Sequence, residues 1–356
     1  MIRKRVERIL AVVLVIALAG VLSGGCAGNP SKSGEQKDQS TQAADGGNKQ
    51  ITLYVAYESS SGEPVDMACN DWNQMIEERS NGEIKVELSP ASLLGTRDEL
   101  MDEMLKGAPV CTIADVTAYA ERGVPDFGIM FAPYLFDTWK DCWKLVESDW
   151  YTERCAKLEE KGFKVLASNW IHGERHILTT KPVHNASDLA GMRIAVPDIT
   201  VFEKGFEALG ASPAPMALGK VYEALQEGTI DGLENLIPLL YKGRYYEVAN
   251  YLILDGHVKN FTTWCVGTKF FNSLSEKHQK ILIETAVEAG KANNEYLERQ
   301  TEDYLQMFED EGVTVYKPAG EDLKSFKAAA EKFCKYPEIS RKWTPGLYET
   351  VKEIIN

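Results

Sequence analysis

From Ile51 onward the chain alternates two hydrophobic periods, and that alternation limits the possible folds more than any other feature. "ITLYVAY" (51–57) has the period-two pattern of a strand, "MACNDWNQMIEERSNG" (67–82) reads as a helix closed by Asn81-Gly82, and "EIKVELSP" (83–90) returns as a strand. The order repeats with "ELMDEMLKGA" and "VCTIADV", then with "CAKLEEKG" and "FKVLASNW". Strand, helix and strand in succession predict a largely parallel sheet covered by helices, an α/β fold. A second α/β unit opens with "GMRIAVP" (191–197), continues through "FEKGFEALG" and closes with "GASPAPMALGKVYEALQEGTIDGLEN" (210–235). The proline-free run from Ser275 to Glu311, with a capping-box pair at Ser273 and Glu276, predicts one extended helix interrupted at most near Gly290. A helix of that length can brace two lobes.

At 356 residues, 44% hydrophobic and 26% charged, the chain has enough apolar material for two globular units. Its start is of another kind. Arg3, Lys4, Arg5 and Arg8 precede an uninterrupted apolar run over 9–22, which is shorter than the roughly 18–20 residues of a spanning helix. Small residues, "SGGC", follow it, so residues 1–25 read as a signal peptide, with Cys26 the expected cleavage and lipidation point. "VLSGGC" resembles a bacterial lipoprotein box, with Ser23 where that motif usually carries Leu. The alternative is a plain signal peptide cut near Gly25, which leaves Cys26 a free thiol. Residues 26–50, without Val, Ile, Leu, Met or aromatic side chains, cannot bury enough apolar area to order and read as a tether with a reach of about 25–30 Å. The folded part then begins near Ile51, outside the cytoplasm and beside the membrane.

A net charge of −14 argues against nucleic acid or an anionic lipid surface as partner of the folded part. The six cysteines after Cys26 form no C-x-x-C and no Cys/His spacing suited to zinc. Mostly buried free thiols are expected, with one bridge possible. No phosphate loop, dinucleotide fingerprint, nucleophile elbow or H-E-x-x-H is present. His172 and His176 flank Glu174, but they follow a strand, where that spacing does not converge on a metal. Glu58 and Asp115 could in principle form a glycosidase pair, yet acidic pairs are common among 53 Asp and Glu residues. No catalytic constellation, metal site or cofactor site is expected.

Four segments in order, "FAPYLFD", "NWIHGERHILTTKPV", "DLAGMRIAVP" and "LGASPAPMALGKVYEALQEGTIDGLEN", resemble the motifs of substrate-binding subunits of TRAP (tripartite ATP-independent) transporters, of the C4-dicarboxylate and sialic acid type. The resemblance covers essentially the whole mature chain. It implies a two-lobed, type II periplasmic-binding-protein-like clamshell with a long helix bracing both lobes. Residues 51–172 and 261–300 would form lobe I, and 173–260 and 301–356 lobe II. It further implies a lipid-anchored monomer outside the bacterial cell membrane that closes on a small ligand and hands it to TRAP membrane permease subunits, without being an enzyme. The alternative role is a clamshell ligand sensor for a membrane receptor.

The same resemblance carries particular positions. Arg175 matches an arginine that contacts the ligand carboxylate, and Asn235, with Glu234 a possible neighbour, matches a residue hydrogen-bonding the same group. Guanidinium fork and directional amide suit a carboxylate. Tyr57, Glu58 and Asp115 match cleft positions of the first lobe. His257 and the segment to Trp264 match the crossover beside the cleft, and Trp170 is a candidate apolar wall. Leu218 takes a place where sialic acid binders present an aromatic ring. One departure affects specificity: "GMRIAVP" has Ala195 where the family strand usually carries an arginine that fixes the substrate acid. Arg193, two residues earlier on the same strand face, is a possible substitute if it leans inward. With Asp198 close by, the cleft is expected to take dicarboxylates poorly and to favour a bulkier or less charged ligand.

Overall fold

The computed structural model describes residues 50–356; the stretches read as signal peptide and tether, up to residue 49 and with Cys26 among them, lie outside the described residues. Nine strands form one mixed sheet: β1 (Ile51–Ala56), β2 (Ile84–Ser89), β3 (Val110–Ala114), β4 (Phe163–Thr179), β5 (Arg193–Val196), β6 (Ser212–Pro215), β7 (Gly232–Leu236), β8 (Tyr251–Gly267) and β9 (Thr314–Tyr316). Their order is β2-β1-β3-β8-β4-β7-β5-β6, with β9 beside β8. β2-β1-β3 is a parallel trio, as the alternation predicts, and β6-β5-β7 is a second one, of which only β5 was read as a strand.

Between the trios the expectation of continued parallel pairing fails. β4 and β8, 17 residues each, run antiparallel to each other, β8 to β3 and β4 to β7, while the short β9 pairs parallel to β8. "FKVLASNW" is only the first half of β4, and the strand continues through "HGERH" to Thr179. The pairing slips in register at four places between Val165 and Ile177, and such bulges bend a strand pair and re-aim its side chains. This ribbon carries the chain from one trio to the other.

The helix read as 67–82 spans Pro64–Arg79, with Pro64 at its first position, where proline's missing N–H and fixed φ do no harm. The long helix is Glu276–Asp310, capped by Ser275, whose side chain accepts from the His278 N–H, and not by Ser273, whose hydroxyl donates to the Phe270 carbonyl. It runs unbroken through Gly290, because the missing side chain there lets β4 approach: a Cβ would meet the Asn169 amide at 2.7 Å and Trp170 Cδ1 at 2.8 Å. Asn169 Nδ2 donates to Val287 O at 2.8 Å, Trp170 Nε1 to Ala286 O at 2.9 Å, and the Ile171 N–H to Asn294 Oδ1 at 2.8 Å. Farther along, Phe308 is sealed against Tyr241 and Tyr246. One helix therefore packs against the middle strand β4, the helix Pro64–Arg79 and, farther along, the helix Ile237–Lys242 that follows β7, an α/β clamshell braced as the resemblance implied. All six cysteines among the described residues are free thiols, four of them buried.

Candidate functional site

In each parallel trio the carboxyl ends of the strands share one edge, the place where open α/β sheets bind ligands. At the edge of β5, β6 and β7 lies a cavity of about 410 Å³, within the roughly 300–1,000 Å³ usual for small-molecule sites. Ala195, Val196, Pro197 and Asp198 line it from the end of β5, Met216, Ala217 and Leu218 from the loop after β6, and Leu233, Glu234 and Asn235 from β7. Five residues singled out in the sequence, Ala195, Asp198, Leu218, Glu234 and Asn235, are thus brought together. Val221, which also lines the cavity, and Leu225 behind it, both buried, pack the "VYEAL" helix into one apolar cluster with Ala195 and Leu233.

Among the described residues the cavity lining contains no lysine or arginine. Asn235 accepts a hydrogen bond from the Leu236 N–H at Oδ1 (2.9 Å), and its Nδ2 makes none among the described residues. That amide is free to donate. Asp198 is exposed and likewise without a hydrogen bond or ion pair among the described residues.

Arg175 stands behind this wall and does not line the cavity. Its Nε and Nη2 donate to the two oxygens of Glu234 at 2.6 and 2.7 Å, and its guanidinium lies 4.8 Å from the centre of the Phe202 ring. Both partners are buried. The arrangement continues inward: Glu234 Oε2 is 3.3 Å from His257 Nε2, His257 Nδ1 is 2.9 Å from Asp255 Oδ2, and the Tyr134 hydroxyl donates to that same oxygen at 2.9 Å. Burial works against ionising Glu234, but Arg175 and His257 outweigh it and hold the carboxyl down at about 2. Burial also disfavours charging His257, yet Asp255 and Glu234 raise it to about 9. The network is two cations against two anions, closed off by Phe202 and Phe206. Alongside, burial lowers His176 to about 4, and its Nδ1 accepts from the Gly256 N–H.

Other positions fall elsewhere. Trp170 and Trp264 have no exposed surface; with Trp72 they form a three-ring core, 5.1 to 6.0 Å between centroids. The reading of Trp170 as a cleft wall and of Trp264 as a residue beside the cleft is corrected: the ribbon turns both rings into the space between the sheet and the two long helices. Tyr57 is 2% exposed and donates to Asp66 at 2.7 Å, so it too belongs to this core. Arg193 does not lean inward. It is held outside by Asp231, Nε to Oδ2 at 3.0 Å, and by the Gly228 carbonyl at 2.8 Å. Glu58, exposed, and Asp115 follow β1 and β3 at the edge of the first trio. Asp115 caps the helix Val116–Glu121 by accepting from the Thr117 and Ala118 N–H groups, and its other oxygen is 3.3 Å from Arg97 Nη1.

Sequence reasoning missed Asp255, Tyr134 and Phe202. Their only signal is proximity to marked residues: Asp255 lies two before His257, and Tyr134 sits within "FAPYLFD".

Comparison with known proteins follows the same lines. The profile of the family described as bacterial extracellular solute-binding protein, family 7, matches residues 55–340. The chain is 27% identical over 279 residues to the 2,3-diketo-L-gulonate-binding periplasmic protein of Escherichia coli K12, covering 78% of this chain and 84% of that one. A TRAP periplasmic solute-binding protein from Ochrobacterium anthropi, solved with bound L-fuconate, is 36% identical with a TM-score of 0.74, over 86% of this chain and 100% of that one. One from Actinobacillus succinogenes 130z, with bound L-galactonate, is also 36% identical, with a TM-score of 0.73 over 86% and 99%.

Proposed function

The chain belongs to the bacterial extracellular solute-binding proteins of family 7, and on that premise we propose that it captures a small organic acid bearing one carboxylate, a six-carbon sugar acid being the best fit, between two lobes. The observation that carries this reading is the cavity at the ends of β5, β6 and β7, with a free amide at Asn235 and no cation on its walls among the described residues. Asn235 offers a donor, Asp198 an acceptor for hydroxyls or an amine, and Ala195 and Leu218 leave room. A C4-dicarboxylate would bring a second carboxylate into a closing site without a counter-charge, at a cost of several kcal/mol. The relatives described above bind 2,3-diketo-L-gulonate, L-fuconate and L-galactonate, which are hydroxylated acids of about this size.

Arg175, its fork taken by Glu234, acts in this proposal from the second layer: it fixes Glu234 and so the end of β7 that presents Asn235. The loaded protein hands its ligand to TRAP permease subunits in the membrane, held near them as a monomer by a lipid on Cys26. Intact-mass analysis of the mature N-terminus tests the anchor, and an unmodified Cys26 rules it out. For the ligand, the purified protein is titrated calorimetrically with L-galactonate, L-fuconate, D-glucuronate and succinate. Saturable binding of a sugar acid with weak or absent binding of succinate is expected. Preference for succinate over all three sugar acids would overturn the reading.

A further inference from the structure

A second cavity, of about 560 Å³, lies between the middle of β4 and the long helix, and it shares no lining residue with the one that holds Asn235. Its size is that of a small-molecule site. Ile171, Leu254, Leu297 and Leu305 supply apolar lining, and the half-buried ring of Trp139 joins them.

Two observations point to an occupant. The first is His176, which lines the cavity although the residue is only 7% exposed. Its Nδ1 accepts from the Gly256 N–H at 3.0 Å, which places the ring proton on Nε2, and burial keeps the imidazole neutral. Nε2 makes no hydrogen bond among the described residues. A nearly buried N–H without a partner calls for an acceptor.

The second is charge. Glu174, Glu295, Glu298 and Glu302 line the cavity against one lysine, Lys317. Glu174 is partnered, its Oε1 accepting from Lys259 Nζ at 2.7 Å. Glu295, Glu298 and Glu302 make no ion pair among the described residues, and they stand three and four apart on one helix face, where like charges repel. No group of three or more His, Cys, Asp or Glu side chains among the described residues is placed to hold a metal ion, so the surplus suits an organic cation.

We infer that this cavity is a second ligand site, for a hydroxylated amine: the ammonium lies among Glu295, Glu298 and Glu302, a hydroxyl oxygen accepts from His176 Nε2, and the carbon skeleton packs on Trp139. An aromatic face suits both a carbon skeleton and a cation. The inference is independent of the organic-acid reading, because neither cavity uses the other's residues.

The test is calorimetric titration of wild type, Asn235→Ala and the double variant Glu298→Gln with Glu302→Gln, using D-glucosamine and, as a neutral probe of the same ring size, D-glucose. Positions 298 and 302 are exposed on the long helix, so the double variant keeps its fold, and melting curves verify it. Wild type is expected to bind D-glucosamine saturably and D-glucose at least about tenfold more weakly, as loss of a charged hydrogen-bond partner implies. The double variant should weaken D-glucosamine by about the same factor, and Asn235→Ala should leave it unchanged. In nitrogen-15 spectra the His176 Nε2 resonance should move as D-glucosamine is added. Absence of saturable D-glucosamine binding, equal affinity for D-glucose, or an unmoved His176 resonance at saturation each overturn the inference. Binding that is lost in Asn235→Ala and kept in the double variant places the amine in the other cavity and overturns it as well.

Discussion

Arg175 and Asn235 are matched to the same ligand group by resemblance, yet the geometry separates what they do. Replacing Arg175 by Ala strips the counter-charge from a carboxylate with no exposed side-chain surface. Breaking a buried pair in this way costs about 3–5 kcal/mol, so urea denaturation of Arg175→Ala should show a loss of that order. Asn235→Ala removes only the short contact to the Leu236 N–H and should stay within about 1 kcal/mol of wild type in the same experiment. Its effect belongs in L-galactonate affinity, with a drop of roughly tenfold. His257 adds a pH signature. Its folded value of about 9 lies above the unfolded value of about 6.5, so its stabilisation is complete below about pH 6.5 and is lost as pH rises through 9. Glu234, held at about 2, contributes above its unfolded value of about 4.3 and loses that as pH falls toward 2. Melting temperatures from pH 6.5 to 9.5 should fall more steeply for wild type than for His257→Asn. Parallel slopes would mean that His257 is not charged in the fold.

Gly290 separates helix propensity from packing. In an exposed helix, alanine in place of glycine stabilises by up to about 1 kcal/mol. Here the added methyl would press on Asn169 and Trp170 at 2.7 to 2.8 Å, and those residues hold β4 to the helix. Gly290→Ala should therefore lower the melting temperature, and a rise would show that the contact relaxes freely. The same helix shows how far the sequence could be read. Its extent was legible because no proline interrupts 35 residues, and β1, β2, β3 and β5 were legible because each has its own short period, whereas the proline-rich β6 read as a loop. The ribbon of β4 and β8 was not. Local pattern says nothing about which strand a segment pairs with 90 residues away, and "HGERH" offers no apolar alternation to mark a strand. That ribbon turns Trp170 and Trp264 into the core, so the two aromatics assigned to the cleft and its border were misplaced for the same reason. Asn235, Glu234, Ala195, Leu218 and Asp198 line one cavity because they sit at or just beyond strand ends, which fold topology brings together.

Across the whole molecule, β4, β8 and the long helix are what any relative motion of the lobes must act through. The proposed boundary between residues 172 and 173 falls where β4 slips register, between Ile171 and Gly173, opposite Phe261 and Asn260. Gly173 there has a φ of +132°, which residues with a side chain rarely adopt. Hinges absorb motion at a few such positions while the packed layers on either side move as units. A ligand seated between the two carboxyl-end edges would then pull them together, and the molecule should contract. Small-angle X-ray scattering of the described fold, residues 50–356, during titration with L-galactonate follows this directly. The account predicts a saturable fall in the radius of gyration that tracks calorimetric binding and is weak or absent with succinate. An unchanged radius of gyration at saturating L-galactonate would contradict capture between closing lobes.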